Sequence, residues 1–100
     1  HSREGDRPVI LEYERRPIVG EPFAVAAHGF EGSAWIRFFV GEELLAEMGC
    51  PDPPCHEVVY IPQGTEGMTL RVVVTDQEGQ TKELELAIGG ARGETMTAGM

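Results

Sequence analysis

The sequence predicts a single all-β domain, a sandwich of two facing sheets built from about seven short strands. Three observations carry this expectation. Thirteen glycines and seven prolines punctuate the 100 residues at short intervals, and the stretches between them are rich in Val, Ile, Phe, Tyr and Thr. Most of those stretches alternate apolar and polar residues with a period of two, as strands buried on one face do. A hydrophobic content of 41% beside 25% charged residues is enough to fill one core, and the length leaves no room for a second lobe. A small closed barrel is the alternative architecture. The domain is expected over residues 8–88. Residues 1–7 are polar and residues 89–100 show no period, so both are read as flexible termini or linker.

The first strand follows from Val9, Leu11 and Tyr13 alternating with Ile10, Glu12 and Glu14, and it stops at Arg15-Arg16-Pro17. After the Gly20-Glu21-Pro22 turn, Phe23, Val25 and Ala27 alternate with Ala24, Ala26 and His28 until the glycines of residues 29–32. In the third segment Ile36, Phe38 and Val40 share one face, and Trp35, Arg37 and Phe39 the other. Gly41-Glu42 then permits a tight turn into residues 43–48. Their Glu, Leu, Ala and Met content favours helix by propensity, yet two turns of isolated helix are marginal, so a strand is expected. Pro51, Pro53 and Pro54 place Cys50 and Cys55 in a loop. Glu57, Val58, Val59, Tyr60 and Ile61 form a β-branched run closed by Pro62. Leu70, Val72 and Val74, then Leu84, Leu86 and Ile88, give the strongest alternation in the chain, joined by Asp76-Gln77-Glu78-Gly79. Gly79 suits the positive φ of a type I turn with a G1 bulge. The inner faces assign the core to Phe23, Val25, Ile36, Phe38, Leu70, Val72, Val74 and Leu84. Seven such strands describe a sandwich with an immunoglobulin-like core.

Two segments carry a family resemblance. Ile36-Arg-Phe-Phe-Val-Gly-Glu-Glu-Leu-Leu45 resembles the V-x-F-Y-V-N-G-x-x-L hairpin of bacterial immunoglobulin-like domains, and Leu70-Arg-Val-Val-Val-Thr-Asp-Gln-Glu-Gly-Gln-Thr81 resembles their L-x-A-V-A-T-D-x-x-G-N-x-T ending. Val19-Gly-Glu-Pro-Phe-Ala-Val25 is similar to their second strand. Gly41-Glu42 stands where that family often has Asn-Gly, and the chain contains no Asn. PKD-type and fibronectin-type modules share much of the same pattern. The resemblance implies a non-catalytic module of a secreted or surface protein, acting as spacer, adhesion segment or enzyme accessory beside neighbouring domains, in an extracellular, cell-surface or periplasmic setting. It is an analogy of fold and does not by itself establish function.

Charge narrows the partners. Seventeen Asp and Glu against eight Lys and Arg leave a formal net charge of -9, which disfavours nucleic acid and anionic lipid. No apolar run reaches the roughly 20 residues that span a bilayer. The chain begins at His1-Ser2 without Met, as a processed product or excised fragment would. A monomer without cofactor is expected.

Cys50 and Cys55 are expected to form a disulfide, which belongs to an oxidising compartment. The alternatives are a zinc site with His56 and His28, a redox pair, or free thiols. Trp35, Arg37 and Phe39 form one row that either faces outward, where it suits a carbohydrate or a protein ligand, or lies under a neighbouring strand or loop. Enzyme chemistry is not expected. Ser2 and Ser33, the two serines, stand in no nucleophile elbow, and the paired acids Glu12 with Glu14, Glu42-Glu43 and Glu83 with Glu85 are spaced as solvated strand surfaces. Asp76 with Glu78 is a weak calcium candidate at a hairpin tip.

Overall fold

The computed structural model describes residues 9–90. Its seven strands are β1 (Ile10–Tyr13), β2 (Pro22–His28), β3 (Ala34–Val40), β4 (Glu43–Cys50), β5 (Cys55–Tyr60), β6 (Thr69–Asp76) and β7 (Thr81–Ala87). They form two antiparallel sheets, ordered β1-β2-β5 and β4-β3-β6-β7. The all-β two-sheet sandwich predicted from alternation is therefore the observed architecture.

Alternation sets which side chains fill the space between the sheets. Phe23, Val25 and Ala27 of β2, Ile36 and Phe38 of β3, and Leu70, Val72 and Val74 of β6 are all buried, with Val59, Ile61, Val9 and Ile88 completing the layer. Leu84 is half-buried rather than central, because β7 is the edge of its sheet. Residues 43–50 are strand despite their helical propensity. Seven of them pair with β3, and the register slips between Phe38 and Phe39, so that Ala46 and Leu44 face those two residues and Leu45 is extra. Tertiary pairing overrides local preference here. Gly41 alone supplies the positive φ of 62° in the two-residue β3–β4 turn, as a type II′ turn needs at its first central position. Gly79, at φ 89°, accompanies a Gly79 N–H to Asp76 carbonyl bond of 3.0 Å, the type I turn with a G1 bulge that the sequence suggests.

Two readings need correction, and the core gains a residue that alternation does not assign to it. Cys50 and Cys55 are strand ends rather than loop residues: Cys50 pairs with Ala34 and Cys55 with Ala27, so only residues 51–54 form the loop. Phe30, among the glycines of residues 29–32, is buried at one end of the sandwich. Gly89 does not begin a loose tail, since its N–H donates to Pro17 (2.9 Å) and its carbonyl accepts from Val19 N–H (3.1 Å), making a parallel bridge with Ile18. The segment between β1 and β2 thus crosses to the end of β7 and links the sheets there. Residues 1–8 and 91–100 lie outside the described residues, and with them all of the expected 1–7 tail and most of the expected 89–100 tail.

The disulfide expected between Cys50 and Cys55 is present, with Cα atoms 6.0 Å apart. It joins the last residue of β4 to the first of β5, and so ties one sheet to the other. Closing so short a loop is worth about 2 kcal/mol in chain-entropy terms. Reduction is expected to lower the melting temperature by roughly 8–16 °C, taking the usual 4–8 °C per kcal/mol for a domain of this size. Melts with and without reductant test this, and coincident curves would mean that the strands hold the two sheets together unaided.

Candidate functional site

Turning Ile36, Phe38 and Val40 inward obliges Trp35, Arg37 and Phe39 to face out from β3, and they lie on the outer surface of the four-stranded sheet. Their surroundings differ. Arg37 faces Glu47 across the β3–β4 pair, and its Nε donates to Glu47 Oε2 at 2.6 Å. Phe39 faces Arg71 of β6, whose guanidinium carbon lies 4.7 Å from the ring centroid while Nη1 donates to Glu83 Oε2 at 3.1 Å. One face of the phenyl ring is therefore covered by a cation that is itself engaged by an acid.

Trp35 is the open member of the row, 51% exposed. Its partner on β4 is Gly49. A Cβ there would lie 3.6 Å from Trp35 Cζ3 and 3.9 Å from Cη2, so the six-membered ring reaches across the glycine. Beside it is a hollow of about 230 Å³ lined by Ser33, Ala34, Trp35, Gly49, Cys50 and Pro51. Ser33 Oγ donates to Gln77 Oε1 at 3.4 Å, and the Ser33 N–H reaches the same oxygen at 3.5 Å. Those contacts hold the hydroxyl at the rim. The importance of Gly49 is not visible in the sequence, because it depends on the β3–β4 register.

The metal alternatives find little in the geometry. Both cysteine sulfurs are in the disulfide. His28 and His56 lie on the outer surface of the three-stranded sheet, and His28 Nε2 is 3.4 Å from Glu12 Oε1. Among the described residues no group of three or more His, Cys, Asp or Glu is placed to hold an ion. Asp76 Oδ1 accepts from the backbone N–H groups of Glu78 (3.0 Å) and Gln80 (2.8 Å), so this carboxylate closes its own turn.

A second concavity has only a faint trace in the sequence. On the three-stranded sheet Ala24 and Ala26 form a low floor between Glu12 and Glu14 on one side and His56 on the other, in a groove of about 670 Å³. The signal for it is the pair of alanines on the outward parity of β2. Comparison with protein-family models, with curated proteins and with solved structures finds no match for the chain.

Proposed function

We propose that the domain is a non-catalytic immunoglobulin-like module, serving as spacer, adhesion or enzyme-accessory unit in a larger exported bacterial protein. The observation that carries this reading is the strand order. β2 and β5 share one sheet while β3, β6 and β7 share the other, the arrangement around which immunoglobulin sandwiches are built, with β4 extending the second sheet beside β3. The Cys50–Cys55 disulfide suits the oxidising conditions met by exported proteins.

The sheet edges suit a unit that stays separate from its copies. β4 carries the bulge, β5 has half-buried Glu57 on its inward-facing row opposite Val25, and β7 has Lys82 opposite Val74. Bulges and inward-pointing charges block edge-to-edge pairing. The chain on its own is therefore expected to run as a monomer in size-exclusion chromatography and to melt in one cooperative step. An obligate dimer, or a broad non-cooperative melt, would mean that a partner must cover one of its faces, and would refute an autonomous module.

A second reading, a carbohydrate-binding module using the outward row at Trp35 and Phe39, is favoured by the exposure of Trp35. An indole presented to water beside a hydroxyl suits the apolar ring face and polar edge of a sugar.

A further inference from the structure

We infer that the hollow beside Trp35 is a single-ring subsite for a neutral pyranose. This deepens the carbohydrate-binding reading, on which it rests, and moves the contact from the Trp35–Phe39 row to one end of the sheet. Two features confine the site to one ring. Phe39 lies four residues along the strand, roughly 13 Å away at about 3.3 Å per residue, and Arg71 covers its face. The hollow, about 230 Å³, is also smaller than the roughly 300–1,000 Å³ of pockets that enclose drug-sized ligands.

The chemistry of the lining selects the ligand. Trp35 offers an apolar aromatic surface for the C–H face of a pyranose, and Gly49 leaves room beside it. Ser33 Oγ, whose proton is directed to Gln77 Oε1, has lone pairs left to accept from a sugar hydroxyl. Charge argues for a neutral sugar. Arg37 and Arg71 are engaged by Glu47 and Glu83, Glu85 stands opposite Arg71 on β7, and the chain carries a net charge of -9. A uronate or sulfated ring would meet a negative field with no uncommitted arginine in the row to receive it.

The test is a titration of the whole chain, followed by the fluorescence of its one tryptophan and by amide chemical shifts. The probes are cellohexaose, xylohexaose, chitohexaose and, as an anionic comparison, oligogalacturonate. At least one neutral probe is expected to bind with roughly millimolar affinity, the weak range suited to a single platform. Trp35→Ala should weaken it at least about tenfold, and Phe39→Ala should leave it within about twofold. Gly49→Val provides the second variant should Trp35→Ala fold poorly. The Cβ of the valine lies at van der Waals distance from the indole, and its two methyls take up space that the glycine leaves open, so binding should be lost while the melt is retained. Equal losses from Trp35→Ala and Phe39→Ala would overturn the single-ring subsite and leave the row reading standing. Preferential binding of oligogalacturonate would overturn the neutral-sugar assignment. No response of Trp35 to any probe would overturn both the subsite and the carbohydrate reading.

Discussion

Phe38→Ala is expected to lower the stability of the domain by about 3–5 kcal/mol, and Phe39→Ala, one residue further on, by only about 1 kcal/mol. The two residues have the same composition and neighbouring positions in β3, yet they face opposite ways. Phe38 is fully buried between Ala46 of β4 and Val72 of β6, and its loss leaves a cavity in the middle of the core. Phe39 is half-buried on the outer surface, where truncation removes the contact with the Arg71 guanidinium and packing that water partly replaces, and leaves no closed cavity. A domain of this size is stable by only about 5–15 kcal/mol, and Phe38→Ala should depress the melting temperature by roughly 12–40 °C. Denaturant titrations of both variants, read by circular dichroism, measure the difference. Similar losses at the two positions would show that β3 does not have one wet and one dry face.

The second large effect is expected at Asp76, the one buried charged side chain among the described core residues. Its inward parity at the end of β6 puts it next to Ala34, and its carboxylate turns toward the β6–β7 loop to accept two backbone N–H groups. Hydrogen bonds to a charged acceptor contribute roughly 1.5–3 kcal/mol each. Water reaches the exposed turn and replaces part of what is lost, so Asp76→Ala should cost about 3 kcal/mol in total. Asp76→Asn keeps an acceptor oxygen without the charge and should cost about 1 kcal/mol. Thermal melts give the stabilities, and amide exchange at Glu78 and Gln80 localises the change. Equal destabilisation by both variants would mean that the two N–H groups draw nothing from that oxygen.

Period-two alternation made the inner faces of β2, β3 and β6 legible in the sequence, because there each buried residue is followed by an outward one. The β6–β7 turn was equally clear, since Gly79 and Asp76 each have a local reason to be where they are. What could not be seen depends on residues far apart in the chain. The pairing of Cys50 with Ala34 and of Cys55 with Ala27 carries both strands up to the cysteines, against the local signal of the flanking prolines. The bridge from Ile18 to Gly89 spans most of the domain and leaves no periodic trace. The candidate site follows the same division. Alternation gives Trp35, Arg37 and Phe39 a common face, but only the β3–β6 register puts Arg71 over Phe39, and only the β3–β4 register puts Gly49 beside Trp35. An expected row of two aromatics is thereby reduced to one open ring.

The central claim is that alternate side chains of these strands turn into a dry space between two sheets. It is tested most directly by NMR of methyl-labelled protein with a soluble paramagnetic agent, which broadens signals according to their exposure to solvent. The methyl groups of Leu70, Val72 and Val74 should keep their intensity while those of Leu44 and Val58 are strongly attenuated. Attenuation of Val72 and Val74 equal to that of Val58 would contradict the sandwich.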